Sequence, residues 1–240
     1  MRREKCAPRL SSTRSGIDGH AMTGFSAFFS VAEGLAAGLG VTVLVTLAAL
    51  LLGVTFGFLL ALIRQFARLR LLNIAIDAYC EILCNVPALT HLFILYFGLA
   101  SIGVRLTSIA AAVLGLGLIG AAITCAIFRS GFSALPNGQA EAALAAGLTP
   151  LQTIFAILTP QAMRVALPAL GNYAVQLLKD TSVVSAIAAP EIMFFARSMV
   201  TSSFQTTLIY ATAAGLYLAL SLPLMQATRF LERRYGRLKA

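Results

Sequence analysis

Long apolar runs along this chain are punctuated by short polar stretches, most of them basic. No charge occurs between Glu33 and Arg64. A helix that crosses a bilayer needs about 20 mostly apolar residues, so a first span is predicted over about 41–63. Gly53 and Gly57 form a small-xxx-small pair inside it, which suits close helix packing. Further runs predict spans over about 86–104, closed by Arg105, over 107–128, closed by Arg129, over 166–190, and over 206–228. Mixed segment 71–84, with Asp77 and Glu81, is expected to lead helically into the second span. The predicted fold is an all-α integral membrane protein with five transmembrane helices.

The polar stretches give sidedness. Arg64, Arg68 and Arg70 follow the first span, and Arg229, Arg233, Arg234, Arg237 and Lys239 follow the last. Basic loops stay on the cytoplasmic side. The 64–70 loop, the 129–164 loop and the C-terminus are therefore expected inside, and the N-terminus outside. Residues 1–22 conflict with this, because Arg2, Arg3, Lys5, Arg9 and Arg14 favour the inside. This stretch is polar and Ser/Gly-rich, reads as disordered, and lacks the apolar core of a signal peptide. Translation from Met22 would remove the conflict; a short sixth span through 23–34 is disfavoured by Glu33. The membrane domain then occupies 23–240.

Composition agrees with a bilayer location. Hydrophobic residues make up 59% and charged residues 11%, against roughly a quarter charged in soluble domains; mean hydropathy is +0.87. The net charge of +9 is distributed as topology signals between spans, not as a nucleic-acid patch. Cys6, Cys80, Cys84 and Cys125 show no CxxC or paired framework. There is no GxxxxGK[ST] phosphate loop, no GxSxG and no metal-ligand spacing, so enzymatic activity and a bound cofactor are not expected in this chain.

The loop at 129–164 is the most structured polar segment. Pro136-Asn137-Gly138 signals a turn. Strong helix formers run from Gln139 to Ala146, and Gly147 suits a left-handed stop. Thr149, Pro150 and Gln152 form an N-cap with a capping box. Pro160 is expected to limit the second helix by pushing Thr159 out of helical geometry. Two short helices joined at a glycine, outside the bilayer on the basic side, make a stiff and compact docking element.

The stretch Glu141-Ala142-Ala143, followed by Gly147 and Pro160, resembles the coupling loop of a membrane subunit of a bacterial ABC importer. The chain is similar to the polar amino acid permease family from about 38 to 230. Gly40, Thr42 through Thr46, Leu47, Tyr79, Glu81, Pro87, Tyr96-Phe97-Gly98, Arg129, Gly131, Gly138-Gln139-Ala140-Glu141-Ala142, Pro168, Asn172, Lys179-Asp180-Thr181-Ser182 and Glu191 carry the resemblance. It implies that this loop docks on a separate ATPase subunit, which uses ATP and magnesium. It further implies a periplasmic or surface substrate-binding protein, a second permease copy or homologue, and residence in the bacterial cytoplasmic membrane. Cys84-Asn85-Val86-Pro87 departs from the family's Arg-Gly-Thr-Pro. Ile123 and Ala126 stand where a tyrosine and a glutamate usually precede the arginine. The resemblance makes that glutamate a partner for a substrate ammonium, so this site departs from the usual pattern.

Ionisable residues inside spans are costly and often functional. Lys179-Asp180 interrupts the fourth run, with Thr181 and Ser182 able to satisfy backbone freed by a break. Two readings stand: a translocation pathway, or a structural ion pair or interfacial position. Glu81 and Asn85 lie one helical turn apart and share a face. His91, within the second span, is read first as a helix–helix hydrogen bond and second as a pathway residue. Arg164 and Arg197 read as snorkelling anchors. The expected function is therefore the permease subunit of an ATP-driven importer for a polar amino acid or related small solute. The alternative is a stand-alone secondary transporter using Lys179 and Asp180 for ion coupling.

Overall fold

The structure, a computed structural model, describes residues 24–67, 69–136 and 138–235. The expected N-terminal extension over 1–22, and with it the choice between Met1 and Met22, lies outside the described residues. Among them, all regular structure is helical. In chain order the helices are α1 (Gly24–Ala36), α2 (Leu39–Phe66), α3 (Arg70–Asn85), α4 (Ala88–Ser101), α5 (Ser108–Ser133), α6 (Gly138–Ala145), α7 (Pro150–Ile187), α8 (Ile192–Ser203) and α9 (Thr206–Tyr235).

Four of them, α2, α5, α7 and α9, are long and apolar enough to cross a membrane, and the bent pair α3–α4 raises this to five if it counts as one span. The first and fifth expected spans fall inside α2 and α9; the third lies on α5 but for Thr107, its N-cap, and the fourth outruns α7, which ends at Ile187 where Ala188 turns left-handed. The second does not run straight: α3 and α4 meet at 105°. Val86 is extended at φ −93°, ψ 136°, because the ring of Pro87 excludes it from the helical region. The 13 residues of α1 rise only about 20 Å, too short to span.

α2 and α5 form the centre of the bundle. Their backbones approach so closely that a Cβ on Gly53 would lie 3.1 Å from Gly120 Cα. Thr124 Oγ1 lies 2.7 Å from Gly53 O and 2.8 Å from Gly120 O, so its hydroxyl is held by carbonyls of both helices. Around this crossing Val45, Ala49, Leu92, Ala111, Leu116, Tyr173, Leu177 and Val184 form one buried cluster, drawn from α2, α4, α5 and α7. A second cluster of Val31, Leu35, Ile192, Ala196, Ile209 and Ala213 joins α1, α8 and α9. On the outside of α2, Leu44, Leu47 and Leu51 are 53%, 60% and 71% exposed. An apolar stripe of this kind is costly in water and fits acyl chains.

One end of the bundle is tied by charge. Asp77 Oδ1 accepts from Arg64 Nε at 2.8 Å and from Arg129 Nη1 at 3.2 Å, linking α2, α3 and α5. Tyr79 donates its hydroxyl to Leu118 O at 2.7 Å, a second tie between α3 and α5.

Candidate functional site

The first candidate is the loop joining α5 to α7. α6 ends in a Schellman motif: Leu148 N–H bonds Ala143 O at 3.2 Å and Gly147 N–H bonds Leu144 O at 3.0 Å. Gly147 sits at φ +84°, the left-handed conformation that glycine adopts without a Cβ penalty. Thr149 Oγ1 then accepts from Gln152 N–H at 3.3 Å, and Gln152 Oε1 accepts from Thr149 N–H at 2.9 Å. The capping box thus forms as the sequence predicts.

Glu141, Ala142, Gly147 and Pro160 are exposed, whereas Ala143 turns inward. Phe132, Leu158 and Ala162 are buried beneath the loop, with Phe66, Leu135 and Ala140 packed against them. Gln161 Nε2 donates to Gln139 Oε1 at 3.3 Å, bracing α6 against α7. Sequence patterning passed over three exposed apolar residues beside the hinge. Leu144, Leu151 and Phe155 are 50%, 66% and 51% exposed, and an Ala-rich, polar context hid them.

The second short helix expected here does not stop at Pro160. Pro150–Ile187 is one helical run of 38 residues, and Thr159 is helical at φ −61°, ψ −45°. The reason is a π turn over Thr153–Leu158, in which Thr159 N–H bonds Ile154 O. This wider turn lets the chain pass a proline, whose ring would strike the carbonyl four residues back in a regular helix.

The second candidate lies at the far end of α7. At Thr181 the helix tightens to 3-10 geometry over Thr181–Ile187, and Ala188 then turns left-handed at φ 57°. Thr181 Oγ1 donates to Leu178 O at 2.7 Å, so it does satisfy backbone at the change of helix type. Ser182 does not: among the described residues its hydroxyl makes no backbone bond, and its own carbonyl is satisfied by Ser185 Oγ at 2.8 Å. Lys179 and Asp180 do not pair: Asp180 Oδ1 accepts from Gln176 Nε2 at 2.9 Å, and among the described residues Lys179 makes no ion pair.

Next to this turn lies a buried carboxylate that sequence reading did not single out as a site. Glu191 is fully buried. Its Oε1 accepts from Phe194 N–H at 2.8 Å, capping α8, and its Oε2 accepts a short hydrogen bond from the Tyr217 hydroxyl on α9. Thr42 Oγ1 on α2 accepts from Ile192 N–H at 3.4 Å. Gly38 fits against the same peptide, where a Cβ would fall 2.5 Å from Ile192 N. A carboxylate directly before an apolar helical run is an N-cap signal; its partner on α9 leaves no local trace.

Lys179, Ser182, Met193, Tyr210, Ala214 and Tyr217 line a cavity of about 430 Å³. A second cavity of about 430 Å³ is lined by Cys84, Ile123, Ala126, Ile127, Ser130, Gly131, Val165, Ala166 and Ala169. Ile123 and Ala126, the two departures noted in the sequence, both face this largely apolar space.

Glu81 and Asn85 share the exposed face of α3, where Asn85 Nδ2 donates to Glu81 O at 2.8 Å. His91 does not bridge helices: its Nδ1 lies 3.3 Å from the carbonyl of Pro87, one turn back at the N-cap of α4. Neither cavity has Glu81, Asn85 or His91 in its lining. Arg164 and Arg197 are exposed.

Residues 53–237 match the family described as "Binding-protein-dependent transport system inner membrane component". The chain is 34% identical over 199 residues to a probable amino-acid ABC transporter permease protein, YckA, of Bacillus subtilis (strain 168), covering 83% of this chain and 88% of that one. It is 34% identical to a probable glutamine ABC transporter permease protein, GlnP, of the same organism, over 81% of this chain and 90% of that one. Among solved structures, a crystal structure of an amino acid ABC transporter with histidines aligns with TM-score 0.81 at 27% identity, covering 88% of this chain and 98% of that one. An inward-facing MetNI methionine ABC transporter shares the fold, with TM-score 0.73 at 19% identity over 85% of this chain and 96% of that one. With a helical bundle long enough to cross the membrane several times and a family match over most of its length, the chain belongs to the binding-protein-dependent transport system inner membrane components.

Proposed function

We propose that this chain is the permease subunit of an ATP-driven importer that carries a polar amino acid or a related small solute across the bacterial cytoplasmic membrane. The observation that carries this reading is the identity of 34% to an amino-acid ABC transporter permease over 88% of its length. ATP and magnesium are used by a separate ATPase subunit, which docks on the exposed face around Glu141, Ala142 and Gly147. Solute reaches the outer face on a binding protein. The permease pairs with itself or with a homologous permease, because four or five spans are few for a complete pathway. Counting the bent α3–α4 pair as one span makes five, and the basic residues flanking α2 and α9 support a C-terminus and α5–α7 loop inside and an N-terminus outside.

In this mechanism the ATPases close on ATP and press on α6. The capping box and Schellman motif make the loop stiff, and Gln139–Gln161 braces it, so the push reaches α7. The region around Lys179, Asp180, Thr181 and Ser182, together with Glu81 and Asn85 on α3 and His91 on α4, forms the pathway that switches access. A stand-alone secondary transporter with Lys179 and Asp180 as its ion-coupling pair is not favoured, since the family match sets the chain among binding-protein-dependent systems.

Proteoliposomes test this. They hold the chain with its candidate ATPase and binding protein, and uptake of radiolabelled polar amino acids is followed. Uptake that requires ATP and all components is expected. Uptake that persists without the ATPase would overturn the reading.

A further inference from the structure

We infer that the cavity beside Lys179 is a carboxylate-binding subsite: Lys179, with Ser182 and Tyr210 as hydroxyl donors, holds the carboxylate of a small solute, while Met193, Ala214 and Tyr217 cover its apolar part. The inference rests on the import reading and adds a recognition chemistry to it.

Four observations carry it. The cavity, about 430 Å³, falls within the range of roughly 300–1,000 Å³ typical of small-molecule sites. Its wall is apolar and aromatic except for the ammonium and the hydroxyls, the usual composition of a site that orients one polar group of its ligand. Lys179 has no ion pair among the described residues. Nor do the hydroxyls of Ser182 and Tyr210 have a hydrogen-bond partner among them; for Ser182 only the carbonyl is engaged.

The depth adds to the argument. Tyr210 and Tyr217 lie about 6 and 17 Å along α9 from its start, so the cavity is within the span. Lys179 is exposed to this opening, and an ionisable group inside a span is rare and often functional. The nearest buried acid does not compete for it. Glu191 is absent from the lining, and its two oxygens are taken by Phe194 N–H and the Tyr217 hydroxyl. Asp180, next in sequence, is engaged by Gln176. A carboxylate answers the open donors, with charge-assisted hydrogen bonds strengthened by the low dielectric.

Lysine footprinting tests the subsite without needing the substrate's identity. The chain, assembled with its ATPase in lipid discs, is acetylated with acetic anhydride, and mass spectrometry reads Lys179 against Lys239 of the same chain. The probes are a mixture of the standard L-amino acids and a matched mixture of the corresponding amino alcohols, which lack the carboxylate. Acetylation of Lys179 is expected to fall several-fold with the acids and to stay unchanged with the alcohols. Equal protection by both mixtures, or by neither, overturns the subsite. So does protection that follows the phosphatidylglycerol content of the discs, which would assign the cavity to a lipid phosphate.

Uptake by the full transporter separates this inference from the reading beneath it. Lys179→Met is expected to raise the apparent KM about tenfold, the worth of one charge-assisted contact, and Lys179→Arg to restore most of it. Normal ATP-driven uptake with a flat footprint removes the subsite and leaves the importer. A footprint that separates acids from alcohols in a chain that shows no ATP-driven uptake removes the importer and leaves the subsite.

Discussion

Gly57 on α2 and Thr124 on α5 meet so closely that a Cβ on the glycine would fall 1.9 Å from the threonine Oγ1. The hydroxyl cannot swing aside without leaving the carbonyls of Gly53 and Gly120, and the same Cβ would lie 2.7 Å from Ala121 O. Backbone meets backbone here, so the helices themselves must part. Gly57→Ala is expected to destabilise the bundle by about 1–3 kcal/mol, the usual cost of overpacking. Unfolding in mixed detergent micelles measures it, and a wild-type midpoint would count against the close crossing.

Tyr217 anchors a carboxylate that has no route to water. Tyr217→Phe leaves Glu191 with one oxygen unsatisfied in a fully buried setting. A hydrogen bond to a charged group contributes about 1.5–3 kcal/mol, and a loss of that size is expected. Glu191→Gln should cost less, because its amide keeps an oxygen for Phe194 N–H and no charge is left to solvate. Equal losses in the two variants, read by the same unfolding assay, would contradict this ranking.

Gly147 isolates backbone conformation from crowding. Its φ is +84°, yet a Cβ there would meet nothing within 4 Å. Substitution therefore costs only left-handed strain, about 1–2 kcal/mol for a residue with a Cβ. Asn, which visits that region readily, should be mildest, Ala intermediate and β-branched Val worst. ATP-dependent uptake is expected to fall in the same order while membrane insertion stays normal. Gly147→Asp is expected to abolish uptake by adding a charge to the docking face. An order set by side-chain volume alone would point to a steric role.

Pro160 holds the π turn open. With Pro160→Ala the ring is gone and an N–H returns, so the turn over Thr153–Leu158 can rewind to regular α geometry. Removing one residue from a turn rotates what precedes it by about 100°. Spin labels at Ala145 and Ala169 should therefore report a distance change of several ångströms. An unchanged distance would show that the π turn does not depend on the proline.

Much of this architecture was legible because bilayers impose strict rules. Charge-free runs located α2, α5 and α9, and Gly147, Thr149 and Gln152 gave the hinge its turn and its cap. Two prolines were harder to read. Pro87 lies at the start of the predicted 86–104 span, yet its restriction of Val86 turns the chain by 105°. Pro160 reads locally as a stop, and the π turn absorbs it instead. Both outcomes depend on what packs around the proline, which local propensity does not contain. Lys179 was legible as an intramembrane charge, but its cavity was not, because the Tyr210 and Tyr217 walls come from another helix. The Glu191–Tyr217 bond joins residues 26 apart with no periodic relation between them.

The unbroken helical run from Pro150 to Ile187 is about 57 Å long at 1.5 Å per residue. It is a lever arm. A tilt of about 10° around its midpoint displaces each end by about 5 Å, in opposite directions, since half of that length subtends the angle. Movement at the capped end beside Gly147 therefore needs no relay of side chains to be felt at Lys179. Regular α geometry is interrupted by the π turn before Pro160 and by Pro168 within the rod, and it gives way to 3-10 geometry from Thr181, so these are the places where such a stroke would be absorbed.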